Sequence, residues 1–204
     1  MSHYFITPQG PAELHPVRTR LWGREVELDS APGVFSQHRL DLGTSVLLRT
    51  VDPPQDRPCR LLDLGCGFGP IAVGLALACP QATVDAVDVN LRAVELTAHN
   101  AEKLGLTGRL HAMTPEQSDP DARYDEIWSN PPIRVGKQAL HELLELWLAR
   151  LAPDGAAHLV AGKNLGADSL LSWLTEQGWD ATRVGSAKGF RVLRVRRGTA
   201  AESN

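Results

Sequence analysis

The sequence predicts an α/β fold in which a mostly parallel sheet carries helices on both faces. Two observations predict it. Short apolar runs of strand length alternate with helical periodicities through residues 57–197, and a glycine-rich turn, Gly65-Cys66-Gly67-Phe68-Gly69-Pro70, joins the first of those strands to an Ala/Leu-rich helix.

Residues 1–50 read as a β-rich extension followed by a lead-in helix. Ala12-Glu13-Leu14-His15-Pro16-Val17 and Arg24-Glu25-Val26-Glu27-Leu28 have the character of short strands, and Asp29-Ser30-Ala31-Pro32-Gly33 that of a turn. Asp41-Leu42-Gly43-Thr44 opens a helix that continues from Ser45 to Val51 and stops before Pro53-Pro54. The core begins with a buried strand at 60–64, a helix from Ile71 to about Cys79, and a second strand at 82–87 that ends at Asp88. Leu91, Val94, Ala98, Ala101 and Leu104 then recur at helical spacing, with Gly105 placed to end the helix. Strands at 109–112, 124–129 and 156–161 follow. A helix whose apolar face is Leu140, Leu143, Leu144, Trp147, Leu148 and Leu151 lies between the last two of them. A helix at 169–177 precedes the final strands, 182–184 and 190–195, which brings the core to seven strands. Residues 198–204 read as a frayed tail.

With 204 residues and 43% hydrophobic content the chain suits one domain. It has no run of about 18 apolar residues, and Met1 to Phe5 lead directly into Pro8 and Gly10 without a charged-then-apolar leader. A soluble, cytoplasmic protein without a membrane partner is expected. Cys59, Cys66 and Cys79 are odd in number and lack C-x-x-C spacing, which suits a reducing compartment. None of the seven histidines pairs with another at i, i+4, so no metal site is expected.

The net charge of −3 argues against indiscriminate nucleic-acid binding, but the basic residues are clustered. Arg183, Lys188, Arg191, Arg194, Arg196 and Arg197 occur with no acidic residue among them, and Arg18, Arg20 and Arg24 form a second group. Two readings stand for both clusters, a solvated basic edge that discourages aggregation or a phosphate-contacting surface.

In an open parallel sheet, ligands bind outside the carboxyl ends of the strands, where chain order reverses. Gly65, Gly67 and Gly69 fall at such a place, free to adopt positive φ and to let a ligand approach the backbone. The alternative is a tight strand-to-helix turn with no ligand. The G-x-G-x-G spacing with Pro70 departs from the dinucleotide fingerprint. Asp88 suits a ribose, whether of NAD or of S-adenosylmethionine, or else caps the next helix. Asn130-Pro131-Pro132-Ile133 closes the strand at 124–129. Its two prolines remove backbone donors and stiffen the turn, leaving carbonyls to accept from something else, and a substrate amine fits that description. A purely structural turn is the competing reading.

If chain order reverses beside the first core strand, this turn faces the ligand held at 65–69. At that point the sequence resembles the class I S-adenosylmethionine-dependent methyltransferases, with Leu61-Leu62-Asp63-Leu64-Gly65-Cys66-Gly67-Phe68-Gly69 as cofactor motif and Asn130-Pro131-Pro132-Ile133 as acceptor motif. It is similar in particular to the small-domain group typified by ribosomal RNA guanine-N2 methyltransferases. Val34-Phe35-Ser36-Gln37, Asp41-Leu42-Gly43-Thr44, Ile133-Arg134-Val135-Gly136-Lys137 and Lys188-Gly189-Phe190-Arg191-Val192-Leu193 carry that likeness over nearly the whole chain.

The resemblance implies a Rossmann-like class I methyltransferase fold and methylation of a planar nitrogen, most directly guanine N2 in ribosomal RNA or a ribosomal subunit. The same chemistry on a small molecule or protein glutamine, or a non-catalytic nucleotide-binding module, remains as alternative. By resemblance Asp63, Gly65, Cys66, Gly67, Asp88 and Val89 bind S-adenosylmethionine. Met113 and Thr114 flank its adenine, Asp41, Gly43 and Thr44 close over its methionine end, and Asn130 meets both reactants. Larger members of the group carry an amino-terminal pseudo-domain that is not seen in this sequence. Ile133 stands where an aromatic residue would stack on a flipped base, so Phe35, Phe68 or a tryptophan is the alternative wall.

Overall fold

The computed structural model describes residues 13–132 and 136–198. Ile133, Arg134 and Val135 therefore lie outside the described residues, as does nearly all of the expected tail.

The described residues begin with a hairpin, β1 (His15–Leu21) and β2 (Arg24–Ser30), in antiparallel register from His15↔Ser30 to Leu21↔Arg24. Trp22 and Gly23 join the strands with φ of 42° and 83°, the paired positive values that a two-residue turn needs to match strand twist. Trp22 also locks the hairpin onto the core. Its indole N–H donates to the Val51 carbonyl at 2.9 Å, and its ring meets Trp128 edge to face at 5.4 Å. It lies so close over Gly74 that a Cβ there would sit 3.2 Å from the ring.

Next come α1 (Leu42–Thr50), β3 (Arg60–Leu64), α2 (Pro70–Ala78), β4 (Thr83–Val87), α3 (Leu91–Lys103), β5 (Leu110–Met113) and β6 (Tyr124–Ser129). The chain ends with α4 (Lys137–Leu148), β7 (Leu151–Gly162), α5 (Ala167–Glu176), β8 (Trp179–Ala187) and β9 (Phe190–Arg197). Among the described residues the main sheet has seven strands in the order β5-β4-β3-β6-β7-β9-β8. β3 to β7 are parallel, and β9 runs antiparallel to both of its neighbours. The expected mostly parallel, seven-stranded sheet is thus what the chain forms. Chain order reverses between β3 and β6, which places Gly65 and Asn130 on adjacent strand ends.

Two apolar layers enclose the sheet. On one face Leu61, Val84, Trp128, Val160 and Val192 pack beneath α1, α2, α3 and the hairpin. On the other, Leu62, Ile127, Leu159, Leu193 and Val195 pack beneath α4 and α5.

Two expectations about helix faces are corrected. Leu151 is not on α4 but opens β7 opposite Tyr124. The helix caps at Ala149, and Pro153, two residues past Leu151, disfavours further helix. On α3 the buried side is Arg92, Ala93, Leu96, Thr97, Asn100 and Ala101, whereas Leu91 and Ala98 face solvent. Three of those buried positions are polar, and two of them, Thr97 and Asn100, serve the glycine turn, which displaced the apolar signal from the true buried face.

Candidate active site

Three segments far apart in sequence converge at the carboxyl ends of β3 and β6. A cleft there is lined by Phe35, Ser36, Asp41, Thr44, Gly65, Cys66, Gly67, Phe68, Pro70, Ile71 and Asn130.

The glycine turn comes first. Gly65, Gly67 and Gly69 have φ of 80°, 58° and 91°, and a Cβ on Gly65 or Gly67 would meet nothing within 4 Å, so bare backbone faces open space there. The turn is held from behind. Gly65 N–H and Cys66 N–H both donate to the Val87 carbonyl, at 2.8 and 3.1 Å. From α3, Thr97 Oγ1 donates to the Gly67 carbonyl at 3.1 Å and Asn100 Nδ2 to the Phe68 carbonyl at 2.9 Å. Gly69 has no such freedom, since a Cβ on it would lie 3.0 Å from Thr97. Cys66 is buried against the Thr97 hydroxyl, and burial pushes its thiol well up, which disfavours the thiolate.

Two carboxylates flank the turn. Asp63 is fully buried; Oδ2 accepts the Ala72 N–H at 2.9 Å, while Oδ1 has no partner. Burial, with a smaller push from Asp88, raises its carboxyl to about 8. An orphaned acidic oxygen beside an open backbone turn is fitted to a cationic group, because an ammonium would supply the missing partner and favour the charged form. Asp88 ends β4. Its Oδ2 accepts the Gly67 N–H at 3.0 Å and its Oδ1 the Asn90 N–H at 2.9 Å, and burial raises its carboxyl also. Val89 beside it is 52% exposed, and Met113 at the end of β5 accepts the Asp88 N–H at 3.3 Å. Asp88, Val89 and Met113 thus lie together at the carboxyl ends of β4 and β5, and none of them is among the residues that line the cleft. Thr114 N–H is held by the Gln117 side chain at 2.9 Å.

The Asn-Pro-Pro turn is the second component. Ser129 Oγ donates to the Leu64 carbonyl at 2.6 Å, which pins the start of the turn to the end of β3. Asn130 is half-buried and Pro131 buried. Asn130 Nδ2 donates to Asp41 Oδ2 at 2.7 Å and to Thr44 Oγ1 at 3.1 Å. Asp41 also caps α1, accepting the Thr44 N–H at 3.1 Å.

Sequence reasoning missed how far the amino-terminal segment builds this cleft. Asn90 Nδ2 donates to the Gly33 carbonyl at 2.8 Å and Arg92 to that of Pro32 at 3.0 Å, which tie residues 32–33 to the loop after β4. Phe35 follows, 47% exposed on the cleft, whereas Phe68 is buried in the core. The available signals were an aromatic residue outside any apolar period and the polar Thr97 and Asn100 at i, i+3 on one helix.

The basic clusters separate by position. Arg18 and Arg20 pair with Glu27 and Glu25 at 2.9 and 2.6 Å. Arg191 pairs with Asp168, and Arg197 donates to the carbonyls of Ala149 and Leu151. Phe190 is level with Gly162 at the cleft end of the sheet, but Arg196 is level with Ala156. Six residues of strand put Arg196 about 20 Å further from that end. Lys188, in the β8–β9 turn, and Lys163, whose N–H donates to the Gly189 carbonyl at 2.8 Å, stand at the cleft end.

Comparison with known proteins agrees with this architecture. Residues 25–194 match the family described as methyltransferase small domain. Bacillus subtilis YbxB, a protein named as uncharacterized, is 33% identical over 180 residues, 87% of this chain and 89% of its own. The ribosomal RNA small subunit methyltransferase C of Hahella chejuensis is 34% identical over 173 residues, 78% of this chain and 49% of that protein. This chain thus spans about half the length of that relative. Among solved structures, the T. thermophilus 16S rRNA N2 methyltransferase RsmC, in complex with AdoMet and guanosine, superposes with a TM-score of 0.79 at 27% identity, over 93% of this chain and 52% of that one. The chain belongs to the methyltransferase small domain family.

Proposed function

We propose that this protein is an S-adenosylmethionine-dependent N-methyltransferase that modifies the exocyclic N2 amine of a guanine in ribosomal RNA. The observation that carries the reading is the juxtaposition of the glycine turn and the Asn-Pro-Pro turn on one cleft, fixed by the Ser129 to Leu64 hydrogen bond. The Hahella relative is named for ribosomal RNA methylation and the T. thermophilus structure for N2 methylation with guanosine bound, which supports the same substrate class here.

In this reading Asp63 Oδ1 receives the methionine ammonium and the backbone of Gly65, Cys66 and Gly67 lines the cofactor. Asp88 accepts from the ribose hydroxyls, and Val89 and Met113 flank the adenine. Bound S-adenosylmethionine supplies a methyl group on a sulfonium and leaves as a neutral thioether. The chain itself does the positioning. A guanine amine is a poor nucleophile because its lone pair is delocalised into the ring. Asn130 Oδ1 and the Pro131 carbonyl accept its two N–H groups, favouring a pyramidal nitrogen and stabilising the positive charge that develops on it. The methylated nitrogen is strongly acidic, so its extra proton passes to solvent without a dedicated base. Phe35 offers the base an aromatic face, a contact of about 1–3 kcal/mol. A base turned out of its stack in structured RNA can reach the cleft.

In this reading Phe35, Ser36, Asp41 and Thr44 complete the catalytic wall, so the described residues work as a single catalytic domain. In this reading Lys163 and Lys188, with Arg183 further along the edge strand β8, meet the RNA backbone, whereas Arg197 serves the fold. Among the described residues no helix is long and apolar enough to cross a membrane. Three free cysteines fit a cytoplasmic location.

The test is incubation with methyl-tritiated S-adenosylmethionine and, in parallel, ribosomal subunits, naked ribosomal RNA and ribosomal protein, followed by nucleoside analysis. Label in N2-methylguanosine is expected. Label confined to protein, or to another nucleoside, overturns the substrate assignment.

A further inference from the structure

We infer that Asp41, assisted by Thr44, is a positioning residue that fixes the amide of Asn130 with its oxygen toward the acceptor amine. This rests on the methyl-transfer reading of the cleft and adds how the acceptor group is aimed. An asparagine amide is nearly symmetric in shape, so packing alone does not tell its two ends apart. In one orientation it accepts from a substrate N–H; in the other it opposes that N–H with its own. Something must choose between them.

Asp41 makes that choice through chemistry. An ionised carboxylate only accepts hydrogen bonds. Asn130 has to present Nδ2 to Asp41 Oδ2, at 2.7 Å, because a flipped amide would set two oxygens against each other. The second hydrogen on Nδ2 goes to Thr44 Oγ1 at 3.1 Å, so both amide hydrogens are committed. Oδ1 is what remains for the substrate. The carboxylate is itself held, since the same Oδ2 accepts the Thr44 N–H at 3.1 Å as the cap of α1. Gly43 leaves it room; a Cβ at that position would lie 2.9 Å from Asp41 Oδ2 and 2.9 Å from the Phe190 ring. A charge-assisted bond to the amide N–H also raises electron density on the amide oxygen, which makes it a stronger acceptor as positive charge develops on the methylated nitrogen.

Capping and positioning are separable. Serine is as good an N-cap as aspartate but too short to reach Asn130. Asparagine at 41 still offers an oxygen to both donors. The experiment compares wild type with Asp41→Ser and Asp41→Asn by cofactor affinity from calorimetry, melting temperature, kcat on the RNA acceptor, and the side-chain amide 1H–15N signals of Asn130. For Asp41→Ser the expected result is a kcat lower by about 10- to 100-fold. Melting temperature should be essentially unchanged, cofactor affinity should fall by much less than turnover, and the Asn130 amide signals should move. Asp41→Asn should recover most of the lost turnover. Wild-type turnover in Asp41→Ser, a fall in cofactor affinity that matches its fall in turnover, or an Asp41→Asn variant as poor as the serine overturns the inference. If wild type methylates nothing, the methyl-transfer reading fails by itself. The Asn130 signals then still decide: unmoved in Asp41→Ser, they overturn the orienting role, and shifted, they uphold it.

Discussion

The Asp63 carboxylate accepts the Ala72 N–H at 2.9 Å through one oxygen, while its other oxygen is buried without a partner beside the glycine turn. The arrangement ties the first core strand to the first turn of α2 and leaves one buried acceptor without a partner. Its energetic consequence follows from burial, which raises the carboxyl from an ordinary 3.8 to about 8. The folded chain therefore holds a proton that the unfolded chain releases. The associated stability is full below pH 3.8 and declines as pH rises, levelling off above about pH 8. Asp63→Asn keeps an acceptor for Ala72 and removes this titration. Denaturant unfolding across that range should show the ligand-free variant more stable than wild type at the alkaline end, and calorimetry should show its cofactor affinity lost.

His158 gives the opposite slope at acid pH. Its ring packs against Trp128 with centroids 4.5 Å apart and planes tilted by 39°, its Nδ1 has no partner, and its Nε2 lies 3.6 Å from Glu126. Burial first, then the cations Arg194 and Arg196, push its imidazole down from 6.5 to about 4. Stability from a neutral His158 is full above pH 6.5 and is lost as pH falls toward 4, on the order of 3 kcal/mol in all. Glu126, raised chiefly by burial, has the reverse sign and offsets part of that loss. His158→Phe keeps an aromatic ring against Trp128 and cannot be charged. It should flatten the acid limb of stability against pH; an unchanged limb would show that other groups set it.

Asn100 links the hairpin to the glycine turn. Its side chain accepts the Asp29 N–H at 2.7 Å and donates to the carbonyls of Asp29 and Phe68 at 2.8 and 2.9 Å. Asn100→Ala leaves those buried groups unpaired and should cost about 2–4 kcal/mol by chemical denaturation. Because one of them belongs to the turn, cofactor affinity should fall as well.

The cations differ in what their loss does. Lys188→Glu, at the cleft end, should weaken RNA binding and lower the slope of log affinity against log salt by about one to two, measured by fluorescence anisotropy. Arg197→Ala should instead lower the melting temperature, because that guanidinium holds the carbonyls of Ala149 and Leu151.

The alternation of strands and helices was legible because buried parallel strands and amphipathic helices differ in period, and the Gly65 and Asn130 turns were legible because few residue types permit them. Other features rest on long-range contacts. The Trp22-Gly23 and Lys188-Gly189 turns lack the usual Asn-Gly signature, yet both have two positive φ values, 42° and 83°, then 49° and 80°. Thr97 and Asn100 disguised the buried face of α3 because their polarity answers loop carbonyls rather than water. Asp41 and Thr44 read as a helix start, and only the fold shows that this helix start meets Asn130 from 89 and 86 residues away.

The central claim is that the two turns form one methyl-transfer site in which Asn130 receives the acceptor amine. Single-turnover methyl transfer with Asn130→Ala, alongside calorimetric titration of S-adenosylmethionine, tests it most directly. The account predicts nearly unchanged cofactor affinity with methyl transfer reduced by at least about 100-fold. Methyl transfer at the wild-type rate in Asn130→Ala would contradict it.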